Sequence, residues 1–130
     1  MTGRPSERGT LRRCDRIRSS PEFRAVYRAR HRAADGRIVA YARPNGSDTT
    51  RLGVSVGKRC GNAVARNRVK RLLREVFRRA RREWPAGYDV VLVPLGRDYT
   101  FEEVDRRLRT LVAEAIRRAK PGAPPHENRQ

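Results

Sequence analysis

The stretch from Arg51 to Arg78, "RLGVSVGKRCGNAVARNRVKRLLREVFR", passes from an alternating strand pattern through a glycine-bearing turn into a long basic helix. On a helical wheel of about 100° per residue, Val69, Leu72, Leu73, Val76, Phe77 and Ala80 fall in one arc of roughly 140°, wide enough for a core-facing stripe. Arg66, Asn67, Arg68, Lys70, Arg71, Arg74, Arg78, Arg79, Arg81 and Arg82 fill the remainder, with Glu75 the one acid among them. A face meant only for water mixes signs to gain i,i+4 pairs, whereas cations at this density repel one another. The helix reads as amphipathic between a core and a polyanion, in preference to a merely solubilising basic face. Just upstream, Gly57, Lys58, Arg59, Gly61 and Asn62 lie where strand gives way to helix, and the unpaired N–H groups of a helix start favour phosphate. The segment does not fit G-x-x-x-x-G-K-[ST], so no nucleotide-hydrolysing loop is indicated.

On the C-terminal side, Pro85-Ala86-Gly87 stops the helix. "YDVVLVP" then forms a nearly continuous apolar run, suited to a central strand. Thr100 with Glu103 makes a capping box for a last helix carrying Phe101, Val104, Leu108, Leu111, Val112, Ala115 and Ile116. On the N-terminal side, "GRIVAYAR" and "TRLGVSVG" alternate in period two around "PNGSDT", which predicts antiparallel strands. "SSPEFRAVYRARH" supplies Ser20 as N-cap, Pro21 at the first helical position, and Phe23, Val26 and Tyr27 at i, i+3, i+4. Residues 1–18 read as a flexible basic arm, residues 19–119 as a single domain, and residues 120–130 as a disordered tail. The element order α-β-β-β-α-β-α makes this an α+β fold, a small mainly antiparallel sheet packed with helices.

Composition narrows the partner. The 130 residues suffice for one domain with a real core. Lys plus Arg total 32 against 14 acids, a net charge of +18, and a compact fold with that self-repulsion is best matched by a polyanion such as nucleic acid. Arginine outnumbers lysine 29 to 3, which codon bias in a GC-rich genome also produces, so net charge and its placement carry the argument. The longest apolar run, Val90 to Leu95 with Pro94 inside it, is too short to span a bilayer, so no membrane association is expected. "MTGRPSERGTLRR" lacks the apolar segment of a secretory signal, which predicts a cytoplasmic protein. Cys14 and Cys60 make neither a disulfide framework nor a metal cluster.

The block from Arg51 to Arg78, with its R-N-R triplet at Arg66, Asn67 and Arg68, closely resembles the signature of the protein subunit of bacterial ribonuclease P. "IRSSPEFRAVY" and "GYDVVLVP" agree with the same family, and the likeness runs from about Leu11 to Ala119. The resemblance implies a left-handed βαβ crossover, against the usual right-handed rule, as in the ribonuclease P protein and ribosomal protein domain 2-like fold. It implies that an RNA subunit hydrolyses the phosphodiester with Mg2+ held mainly by that RNA and the substrate. The protein then binds the catalytic RNA and the 5′ leader of precursor tRNA, with no stable protein partner required. Carried over by residue, Arg66, Asn67, Arg68, Lys70, Arg71 and Arg74 face the catalytic RNA. Phe23, Tyr27, Tyr41, Ser55, Lys58 and Arg59 line the leader cleft. Gly57 departs from the family, where serine is common, and Tyr27 stands where phenylalanine is frequent. Bases of single-stranded RNA stack on aromatic faces beside cations, which suits Phe23 and Tyr27 one turn apart with Tyr41 on an alternating strand.

Rival functions lack parts. An independent protein nuclease would draw on His31, His126 and scattered aspartates with no metal-ligand spacing, so no catalytic residue and no metal ligand is assigned. A ribosomal or general RNA-binding protein shares the charge but not the central block. A sequence-reading DNA-binding protein would need a helix-turn-helix pair or a zipper heptad beside the basic helix.

Overall fold

The computed structural model describes residues 15–120 of the chain. In chain order it has α1 (Ser20–Ala29), β1 (Arg32–Ala34), β2 (Ile38–Pro44), β3 (Arg51–Val54), α2 (Ala63–Ala80), β4 (Tyr88–Pro94) and α3 (Phe101–Ala119). This is the expected α-β-β-β-α-β-α order. The four strands form one sheet in the order β1-β2-β4-β3. β2 runs antiparallel to β4 from Ile38 opposite Pro94 to Pro44 opposite Tyr88. β3 runs parallel to β4, with Leu52 opposite Val90 and Val54 opposite Leu92. A parallel neighbour needs a crossover, and α2 supplies it.

β4 is buried on both sides because helices cover both sheet faces. Val90 and Leu92 point into the main core with Leu73, Val76 and Phe77 of α2 and Val104, Leu108 and Val112 of α3. Val91 points the other way, into a smaller cluster with Ile17 and Val26 under α1. The wheel of α2 holds, with Val69, Leu73, Val76, Phe77 and Ala80 buried and Leu72 at the edge.

Four local details differ from the sequence reading. The N-cap of α1 is Ser19, not Ser20: its hydroxyl accepts from the Glu22 N–H while the Glu22 carboxylate accepts from the Ser19 N–H, so the box starts one residue earlier. β2 and β3 lie on opposite sides of β4 and share no hairpin. The loop between them is instead built on Asn45, whose side-chain amide donates to the Thr49 carbonyl and to Asp89. The hairpin of the sheet joins β1 to β2 through Asp35-Gly36, with Gly36 at φ +91° and the Asp35 carboxylate accepting from the N–H groups of Arg37 and Ile38. Thr100 caps α3 through the Glu103 N–H, but the Glu103 carboxylate turns to Arg37 and Arg107 and leaves the box half made.

Of the expected arm, residues 1–14 lie outside the described residues, and so does the tail from 121 onward. Residues 15–17 are packed, with Arg18 exposed: Arg16 bridges Leu52, the Ile17 N–H donates to the Leu52 carbonyl at 2.9 Å, and Asp15 and Ile17 are buried. The buried Ile17 side chain, its backbone bond to Leu52 and the ion pair of Asp15 with Arg81 at 3.6 Å seat this segment. Among the described residues no helix is long and apolar enough to cross a membrane.

Candidate nucleic-acid interface

α2 begins at Asn62, whose Oδ1 accepts from the Ala65 N–H at 2.9 Å. That cap and the buried stripe fix which way the cations point. Asn67, Arg68 and Arg71 are exposed, while Arg66, Lys70 and Arg74 are half-buried along the flanks. Glu75 is drawn off by Arg78 (2.7 Å) and Arg79 (2.8 Å), which hold its carboxyl at about 2. Arg66, Arg68, Lys70, Arg71 and Arg74 therefore meet no carboxylate among the described residues. This is a surface of uncompensated charge on a rigid helix, the arrangement that binds a phosphate backbone.

The second surface lies on the α1 side of the sheet. Tyr27 and Tyr41 meet edge to face with centroids 4.9 Å apart, and Phe23 lies 6.4 Å from Tyr27. All three rings are half-exposed over the small cluster of Ile17, Val26 and Val91. The structure thus brings the three aromatics together, with one edge against apolar side chains and the other toward solvent. The Ser55 N–H donates to the Leu92 carbonyl at 3.0 Å, which continues the β3–β4 ladder and turns the Ser55 side chain toward the same face as Gly53. Lys58 and Arg59 follow on an exposed 3-10 turn, anchored by the buried Cys60, whose thiol is 3.6 Å from the Pro94 carbonyl.

Gly53 makes room for the groove. A Cβ there would stand 2.8 Å from two carbons of the Phe23 ring. Gly53→Ala is expected to displace the ring and cost about 1–3 kcal/mol, the usual penalty of overpacking. Chemical denaturation with NMR of the Phe23 ring checks this; an unmoved ring with unchanged stability would contradict the contact.

Two cations escaped the sequence reading. Arg97 donates to the Arg59 carbonyl at 3.4 Å, and with Arg59 and Arg66 it places positive charge around Cys60. Arg16 lies between Arg74 and Phe23, where the two surfaces meet. Neither position carries periodicity or a motif, so only the fold could single them out.

Comparison with known proteins follows the same lines. The family model Ribonuclease P matches residues 11–116. The Ribonuclease P protein component of Shouchella clausii is 37% identical over 123 residues, covering 92% of this chain and 98% of that protein. The solved RNase P protein of Staphylococcus aureus superimposes with a TM-score of 0.65 at 31% identity, covering 75% of this chain and 92% of that one. For the RNase P protein of Thermotoga maritima the TM-score is 0.60 at 33% identity, with 75% and 90% covered. The basic helix, the aromatic groove and the parallel β3–α2–β4 unit thus stand in a chain that belongs to the family of bacterial ribonuclease P protein components.

Proposed function

We propose that this chain is the protein subunit of a ribonuclease P holoenzyme, binding the catalytic RNA through α2 and the 5′ leader of precursor tRNA through the groove of Phe23, Tyr27 and Tyr41. The observation that carries the reading is the pairing of five acid-free cations along α2 with three half-exposed aromatic rings on the α1 side of the sheet, the two surfaces meeting at Arg74 and Phe23. Cations alone follow a backbone; rings beside cations hold unstacked bases. Asn67 is assigned to the first surface, and Ser55, Lys58 and Arg59 to the second. A general RNA-binding role without tRNA maturation is not favoured, because the whole domain matches the ribonuclease P family.

The chemistry is assigned to the RNA subunit. Among the described residues no group of three or more His, Cys, Asp or Glu could hold a metal ion. The acids near the interface are instead engaged by arginine, as Glu22 and Asp89 are by Arg51 and Glu75 is by Arg78. The Mg2+ of the reaction is assigned to the RNA and the substrate on the strength of the family to which the chain belongs. The protein's part is positioning and charge neutralisation, in the cytoplasm where precursor tRNA is made.

Adding the protein to its cognate catalytic RNA at low Mg2+ should raise the rate of 5′ leader removal. Binding to that RNA should weaken steeply with monovalent salt through counterion release. Arg66→Ala or Arg68→Ala should each flatten the slope by about one unit. No gain in 5′ maturation, or an unchanged slope in both variants, counts against the assignment.

A further inference from the structure

Where the basic face of α2 meets the segment before α1, two arginines converge with no acid joining them. Arg16, fixed by the Ile17–Leu52 hydrogen bond beside it, and Arg74 of α2 together line two adjoining cavities of about 580 and 250 Å3. The larger runs along α2 past Arg68 and Arg71, and the smaller reaches Phe23 of the aromatic groove. The Arg16 Nε is buried and has no acceptor among the described residues. Burial, and then the charge of Arg16, pull the Arg74 guanidinium below the ordinary arginine range, and no hydrogen bond or counter-charge offsets them. Glu75, the acid lining the larger cavity, is already engaged by Arg78 and Arg79. Two like charges in a partly dry site are unfavourable until an anion joins them, and paired guanidinium forks suit phosphate oxygens.

We propose that Arg16 and Arg74 form a single phosphate site that takes a backbone phosphodiester of RNA at the junction of the α2 surface and the aromatic groove. The inference rests on α2 facing RNA, and it assigns a role to Arg16, which precedes the recognised elements. A strand seated there continues past Arg68 and Arg71 on one side and Phe23 on the other, which offers cations for its phosphates and a ring for a base. The phosphodiester comes either from the RNA subunit or from the precursor leader.

The first arm of the test uses inorganic phosphate, titrated into the full-length protein at ionic strength held constant with sodium chloride, while NMR follows the Nε–H groups of Arg16 and Arg74. Both signals should shift saturably. The response should vanish at the remaining partner in Arg16→Gln and in Arg74→Gln, and persist in Arg106→Gln on the exposed face of α3. A response that never saturates, or that survives both substitutions, overturns the site. The second arm measures affinity for the catalytic RNA alone, and of the holoenzyme for precursor tRNA with and without its leader. Each single variant should lose about tenfold in one of these. The double variant should lose little more than either single one, because one phosphate is shared. A loss confined to the RNA subunit names it as the source, and a loss confined to leader-bearing precursor names the leader. Additive losses or none overturn the shared site. Arg66→Gln, tested separately for assembly, shows whether the reading of α2 stands without it. Both substitutions remove repulsion, so thermal stability should stay level or rise.

Discussion

Arg51→Met is expected to destabilise the fold by about 3 kcal/mol, the low end of what breaking a buried ion pair costs. The Asp89 side chain is 1% exposed, and its carboxylate accepts from Arg51 Nε at 2.9 Å, from Arg51 Nη2 at 2.8 Å and from the Asn45 amide at 2.9 Å. Without the guanidinium, a carboxylate remains inside the sheet with one neutral donor. The low end applies because the Arg51 side chain is 26% exposed, so water reaches part of the gap. Removing both charges, with Arg51→Met and Asp89→Asn together, should recover much of the loss, since an uncompensated charge and not the absent pair is what destabilises. Urea denaturation of the three proteins at pH 7 decides the matter. A single-variant loss well under 1 kcal/mol, or a double variant no better than the single, would show that the pair does not hold the sheet.

The same arginine reaches α1. Its Nη1 donates to Glu22 at 2.9 Å, and that bond, followed by the N–H groups of Arg18 and Ser19, holds the Glu22 carboxyl at about 2 instead of 4.5. The folded value is depressed, so this contribution to stability is present above about 4.5 and disappears as pH falls toward about 2. The Glu22 side chain is 38% exposed, so its share of the stability is small. In Arg51→Met the Glu22 carboxyl should titrate closer to its ordinary value, which an NMR titration reads directly. Arg51 thus ties the helix that carries Phe23 and Tyr27 to the strand beneath it.

What the sequence made legible were the features that neighbours along the chain determine. Asn62, the 3–4 spacing from Val69 to Ala80 and the stop at Pro85 locate α2, because cap and stripe are both local. β4 was readable from its uninterrupted apolar run. Sheet order was not: β2 pairs with β4, which lies beyond β3 and α2 in the chain, and the Asn45-Gly46 signal between β2 and β3 belongs to a loop that crosses the start of β4. The hairpin signal that mattered, Asp35-Gly36, follows a strand of three residues, too short to show alternation. For the interface, the identity of the cations was visible in the composition, but their availability was not. That depends on where the acids go: Asp89 to Arg51 across 38 positions, Asp35 to Arg107 across 72, and Glu75 to its own helix. Arg16 became recognisable only once Ile17 was seen against Leu52.

Phe23→Leu and Tyr27→Leu should weaken precursor tRNA binding by roughly 5 to 150 fold each, corresponding to about 1–3 kcal/mol per lost base stack. Leucine keeps apolar volume over Gly53 and Val91 but removes the flat face, so packing and stacking are tested apart. That distinction matters because each ring also has a structural neighbour: Phe23 lies directly on Gly53, and Tyr27 meets Tyr41 edge to face. A purely structural role predicts lower stability, with precursor and mature tRNA affected alike. Leader stacking predicts a loss with precursor that vanishes with mature tRNA, which has no leader to stack. Assembly with the catalytic RNA should be spared in both variants, because Arg66, Arg68 and Arg71 lie on α2, away from the groove face of the sheet. The measurement is holoenzyme affinity for matched precursor and mature tRNA, beside a denaturation curve for each variant. Equal weakening of the two tRNAs in a folded variant would remove the aromatic groove from the leader's path, while leaving untouched the proposal that the basic face of α2 meets the catalytic RNA.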